Sequence, residues 1–116
     1  MIVKKSMMKD ETIKNMRGGE GIASLSHFDS KENMKNSRLA CTISLPPGAS
    51  IGEHEHINET EYYVILKGNG KVIDNGKEEP VETGEVVITP HGSKHSIINT
   101  GKTDLEFIAF IVTYQL

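Results

Sequence analysis

Beyond residue 38 the chain runs in short blocks of alternating apolar and polar residues, each closed by turn-forming residues. The blocks at 38–45, 61–67, 71–74, 85–89, 95–98 and 105–114 are rich in Val, Ile, Tyr, Phe and Thr, which suit a pleated, half-buried surface. Between them stand Pro46-Pro47-Gly48, Gly68-Asn69-Gly70, Asn75-Gly76, Thr83-Gly84, Pro90-His91-Gly92 and Thr100-Gly101. This punctuation predicts a sandwich or barrel of short strands. Asn75-Gly76 predicts a hairpin, because both residues tolerate the positive φ of a type I′ turn. Pro80 cannot donate to a ladder and predicts an edge or a bulge.

The first third is less regular. Gly18-Gly19-Glu20-Gly21 reads as a loop, residues 22–28 as a strand, and Asp29 with Glu32 as a cap for one helical turn. No segment predicts a long helix, and no repeat of fixed period points to a solenoid.

The last block is apolar on both faces, with Leu105, Phe107, Ala109 and Ile111 on one and Ile108, Phe110 and Val112 on the other. A half-exposed strand would alternate with polar residues. It is therefore central in a sandwich or meets another subunit. Together with Ile2 and Val3, it predicts a homodimer.

The length of 116 residues, 36% of them hydrophobic, suffices for one domain with a real core. The longest apolar run is the six residues 107–112, too short for a membrane span or a signal-peptide core. One cysteine, Cys41, excludes an internal disulfide and suggests a reducing, cytoplasmic setting. The net charge of −3 argues against nucleic acid as a partner. Residues 1–38 carry eight Lys/Arg against five Asp/Glu, but the basic residues are scattered as on a solvated face. All five methionines lie in the first 34 residues, where their flexible side chains suit an arm packing on the body or on a partner chain.

The candidate chemistry lies in two blocks. In the first, Gly48 is followed after five residues by His54-Glu55-His56, after four more by Glu61, and after six more by Gly68. Fifteen residues on, Gly84 leads after five residues to Pro90-His91-Gly92, after two to His95 and after three to Asn99. Residues two apart in a strand share a face, so His54 and His56 present two imidazoles side by side. Glu61 lies an odd number of positions beyond His56 and needs a turn or bulge, which residues 57–60 supply. His95 comes from a separate strand. Three neutral imidazoles and one carboxylate suit one divalent transition metal, Mn, Fe, Ni, Zn or Cu, and an octahedral ion would keep about two positions open.

These blocks resemble the paired motifs of the cupin superfamily over residues 48–99, roughly half of the chain. The chain is similar to the small single-domain members described as cupin-2 or mannose-6-phosphate-isomerase-like proteins. The resemblance implies an all-β double-stranded β-helix, a jelly-roll barrel of antiparallel sheets with a pocket at its mouth. It also implies that His54, His56, Glu61 and His95 are metal ligands, while Gly48, Gly68, Gly84, Pro90, Gly92 and Asn99 shape turns. Residues 1–36 form an N-terminal arm and first strands of the same domain, with a possible dimer contact, and residues 37–116 the barrel core.

Around these ligands the residues leave alternatives. Glu61 ligates, or rotates away and acts as a catalytic base. Glu59 could reach the same face but reads first as a solvated loop charge, and Glu53 and Glu55 should point away. Tyr63 should face the interior, where its hydroxyl binds a substrate or its ring fills the core. Arg38, Thr42 and Ser44 share a strand face, and if that face lines the pocket Arg38 would bind a substrate carboxylate or phosphate. His91 reads as a loop residue, His27 equally as a packed ring or a pocket group, and Cys41 as a small packed residue.

A fold does not specify a reaction. The first functional reading is a metal-dependent enzyme, an isomerase, dioxygenase, decarboxylase or lyase, acting on a small oxygen-rich ligand such as a sugar, hydroxy acid or diol. The alternative is a non-catalytic binding or sensing module with the same pocket. Cupin oxalate decarboxylases carry an arginine shortly before the His-x-His pair, where this chain has Ser50-Ile51-Gly52-Glu53, and that departure counts against oxalate decarboxylation.

Overall fold

The apolar faces of two antiparallel sheets close on one another to form the core. A computed structural model describes residues 1–115, and in it ten strands alternate with tight turns: β1 (Lys9–Lys14), β2 (Ile22–His27), β3 (Ser37–Leu45), β4 (Ser50–Glu55), β5 (Glu59–Lys67), β6 (Asn69–Asp74), β7 (Lys77–Glu82), β8 (Val86–Thr89), β9 (Lys94–Asn99) and β10 (Leu105–Thr113). The larger sheet has the order β1-β2-β3-β10-β5-β8 and the smaller β4-β9-β6-β7. This is the all-β, two-sheet jelly roll that the turn spacing and the motif resemblance imply. Among the described residues the helical segments are two three-residue 3-10 turns, Lys5–Met7 and Met16–Gly18, and no helix is long and apolar enough to cross a membrane.

The inward residues of β3, β5 and β10 carry the core. Ile43, Leu45, Ile65, Leu105 and Phe107 are fully buried there and meet Ile51 and Ile97 of the smaller sheet. The Asn75-Gly76 hairpin forms with both residues at positive φ, 49° and 84°. Pro80 lies in β7, an edge strand, as its missing N–H requires. Residues 30–34 form a turn in which the Asn33 and Met34 N–H groups both donate to Ser30 O, without growing into a helix.

Two strands have almost no apolar signature. β1 reads KDETIK and β7 reads KEEPVE, and both are edges, where charged side chains discourage pairing with another chain. β10 is central, between β3 and β5, so its inner face belongs to the core. Its outer face stays apolar and only half covered. There Phe110 stacks on Tyr62, with centroids 4.7 Å apart and rings 12° from parallel.

Candidate metal centre

A bulge decides which side chains of β4 point inward. In the β4–β9 ladder Ile51 pairs with Ile97 and His54 with His95, so Gly52 and Glu53 together oppose Ser96. An unbroken strand would carry Ile51, Glu53 and Glu55 on one face. The extra residue shifts the phase, so that Ile51, His54 and His56 turn inward while Glu53 and Glu55 stay exposed. Gly52 is required by close backbone approach, because a Cβ there would run into Arg17 O of the second 3-10 turn. His56 lies just beyond β4, and Asn58 at φ 58° turns the chain into β5. The Asn58 N–H donates to His91 Nδ1 at 2.8 Å, which makes His91 a brace for this turn.

Glu61 arrives on β5 and His95 on β9. The ligand atoms of His54, His56, Glu61 and His95 all lie within 4.8 Å of one another. His95 Nε2 is 3.0 Å from His54 Nε2 and 3.1 Å from His56 Nε2. Glu61 Oε1 stands 2.9 Å from His95 Nε2, 3.0 Å from His56 Nε2 and 3.7 Å from His54 Nε2. With ligand bonds of about 2.1 Å, an octahedron has edges of about 3.0 Å and a tetrahedron about 3.4 Å. Four of these five separations match octahedral edges.

The outer ring nitrogens show which way the lone pairs face. His54 Nδ1 is 2.8 Å from Gly52 O, which can only accept, so Nδ1–H donates and Nε2 offers a lone pair to the cluster. His56 Nδ1–H donates to Glu59 Oε2 at 2.6 Å, with the same result for its Nε2. His95 Nδ1 lies 2.7 Å from Thr89 Oγ1. Inward lone pairs and a carboxylate at these separations repel unless a cation stands among them. Protons or a metal ion can supply it, and a metal satisfies all four atoms at once, so the donor set fits a divalent transition ion.

Electrostatics follow the same arrangement. Burial raises the Glu61 carboxyl, but with protons on the facing Nε2 atoms in place of a metal the three histidines donate to it, outweigh burial and hold the group well below the usual carboxylate range. Burial lowers His56, yet Glu61 and Glu59 together raise it above an ordinary imidazole. His95, more deeply enclosed, is lowered chiefly by burial.

Beyond the four-residue cluster, the structure places the remaining candidates as follows. Tyr63 is 2% exposed and turned inward, its ring against His95 and Phe107. The inward residues of β3 are Cys41, Ile43 and Leu45, so Cys41 is packed in the core and Thr42 and Ser44 face outward, away from the cluster. Arg38 is itself the bulged residue of β3, since Ile111 pairs with Leu39 and Val112 with Ser37. Its Nε and Nη2 each donate to Glu59 at 2.7 Å. Glu59 is no solvated loop charge: it begins β5, is 7% exposed, and shares the inward face of Glu61. The Arg38 guanidinium, ahead of the opposing effect of burial, holds the Glu59 carboxyl below its ordinary range. The same-face spacing of Glu59 and Glu61 was the available sequence signal. His27 Nε2 pairs with Glu11 Oε1 at 3.1 Å across β1 and β2. It borders a cavity of about 620 Å³ between the N-terminal arm and residues 28–38, which Arg38 also lines and which none of the four cluster residues lines.

Comparison with known proteins agrees with this geometry. Residues 41–111 match the sequence profile of the Cupin domain. An "Oxalate-binding protein" of Thermotoga maritima is 50% identical over 113 residues, covering 97% of this chain and 93% of that protein. The crystal structure of a predicted oxalate decarboxylase from Thermotoga maritima superposes with a TM-score of 0.93 at 48% identity, over 97% of this chain and 99% of that one. A mannose-1-phosphate guanylyltransferase of Salmonella montevideo is 35% identical over 66 residues, 57% of this chain and 14% of that protein.

Proposed function

The chain belongs to the cupin family, and on that premise we propose that it holds a divalent transition metal at His54, His56, Glu61 and His95 and through it captures a small ligand presenting two oxygens. An oxalate-class dicarboxylate is the first candidate, and hydroxy acids, diols and sugars share the donor chemistry. The observation that carries this reading is the convergence of four donor atoms, four of whose separations, 2.9–3.1 Å, lie near octahedral edges. Three neutral imidazoles and one carboxylate sum to −1, so a divalent ion leaves the site at +1 and attractive to an anion. The bound ion supplies Lewis acidity and open positions for the ligand oxygens. His54, the most accessible of the four side chains, lies on the approach. The name of the Thermotoga maritima oxalate-binding protein, half identical over nearly the whole chain, supports the ligand class.

Neither inward carboxylate is free for proton transfer, since Glu59 is engaged by Arg38 and His56, and Glu61 by three histidines. Capture therefore stands ahead of turnover. An enzymatic role would require Glu61 to leave the cluster and act as a base, and its 3.7 Å separation from His54, against 3.0 Å from His56 and 2.9 Å from His95, marks the side on which it gives way.

Metal analysis by mass spectrometry on protein purified without chelators, followed by calorimetric titration with oxalate, tests both. We expect near-stoichiometric metal and saturable oxalate binding, each lost in the His54→Ala/His56→Ala double variant. Loaded protein that takes up no oxalate overturns the ligand class. Release of formate and carbon dioxide from oxalate makes the protein an enzyme.

A further inference from the structure

We infer that Arg38 and Glu59 are positioning residues of the metal centre: Arg38 locks the Glu59 carboxylate, and Glu59 fixes the tautomer and aim of His56, so that its Nε2 lone pair faces Glu61 and His95. This rests on the reading that the four-residue cluster holds a metal.

Three contacts build the chain. Both Glu59 oxygens accept from the Arg38 fork, Oε1 from Nε and Oε2 from Nη2, each at 2.7 Å. Oε2 also accepts from His56 Nδ1–H at 2.6 Å, and His56 Nε2 reaches Glu61 Oε1 at 3.0 Å. A bidentate guanidinium pair fixes the plane of a carboxylate as well as its charge, which a lysine at that position could not do. Arg38 is the extra residue of a bulge in β3, with no Cα partner on β10, which releases its side chain from the regular alternation and lets it reach Glu59.

The other two imidazoles have different holders. His54 leans on a backbone carbonyl and His95 on a hydroxyl, both neutral. His56 alone of the three leans on an ionised carboxylate, and such a partner raises the basicity of the ring and its strength as a ligand. Its holder extends outward, because Arg38, with its side chain 48% exposed, reaches the 620 Å³ cavity under the N-terminal arm. The guanidinium is thus spoken for by Glu59, which assigns Arg38 to positioning in place of substrate binding.

The test measures manganese(II) affinity of the full chain by magnetic resonance of the free ion, in wild type, Glu59→Gln and Arg38→Met, beside nitrogen NMR of the His56 ring in metal-free protein. We expect the affinity to fall roughly 10–100-fold in Glu59→Gln and in the same direction in Arg38→Met. The His56 ring should lose its single Nδ1–H tautomer in both. Melting curves of the metal-free proteins separate these effects from global stability, and if Glu59→Gln does not fold, the half-exposed Arg38→Met decides. Affinities within twofold of wild type, with the tautomer unchanged, overturn the inference while the metal reading stands. A wild-type chain that takes up none of manganese, iron, nickel, zinc or copper overturns the metal reading instead, and there the ring-nitrogen measurement alone decides whether these residues aim His56.

Discussion

Tyr63 lies nearly flat against His95, with ring centroids 4.9 Å apart and planes 18° from parallel. The stack walls one side of the cluster, and Phe107 backs Tyr63 at 4.6 Å. The inward tyrosine therefore fills core volume and holds a histidine in place. Tyr63→Phe keeps the ring and should leave metal affinity within about twofold. Tyr63→Ala opens a cavity that costs about 3–5 kcal/mol by analogy with other aromatic truncations, and frees the His95 ring. Urea unfolding and metal titration of the two variants check this.

Gly52 supports a second prediction. Its backbone touches that of Arg17, and the bulge it belongs to sets the inward phase of His54. Gly52→Ala should destabilise the fold by about 1–3 kcal/mol, as overpacking does, and lower metal affinity with it. Gly76→Asn in the exposed hairpin meets open space and suits a positive φ, so it should leave metal affinity unchanged. Equal metal affinity in wild type and Gly52→Ala would refute the role of the bulge.

On the outer face of the larger sheet, Ala40, Phe110, Tyr62 and Ile88 line up in one cross-strand row and Thr42, Ile108, Val64 and Val86 in the next. Four strands spaced about 4.8 Å apart give an uncharged block roughly 15 Å across. A two-fold dimer buries the same patch on both copies, and we propose that a second copy covers this one. Light scattering should report twice the 12.8 kDa chain mass, and Phe110→Glu should reduce it to one chain. A wild-type monomer at high concentration would end the proposal.

Cys41 carries a pH dependence of defined sign. Burial, with the charges of Glu61 and Glu11 behind it, pushes the thiol from 9.0 up to about 12. A folded-state value above the unfolded one gives stability that is fully present below about pH 9 and lost as the pH rises toward 12. Native protein should resist iodoacetamide at pH 8.5 and react on unfolding, and Cys41→Ala should flatten the alkaline side of the stability curve.

Much of this could be read along the chain. The strands at 38–45, 61–67, 71–74, 85–89, 95–98 and 105–114, the hairpin at Asn75-Gly76 and the edge position of Pro80 depend on local φ preferences and a two-residue period, which a sequence displays directly. The spacing of His54, His56, Glu61 and His95 was legible for the same reason. Strands β1 and β7 were not, because an edge strand buries too little to show a pattern.

Tertiary structure alone decided three things. It turned His54 and His56 inward through a bulge that no alternation announces, since the shift depends on pairing with β9, about forty residues on. It buried Glu59 and gave it Arg38, 21 residues away, as a partner. It set the inner face of β3 on Cys41 rather than Thr42. Periodicity fixes which residues share a face, whereas which face meets the core and which charges meet each other are settled only when distant strands pair.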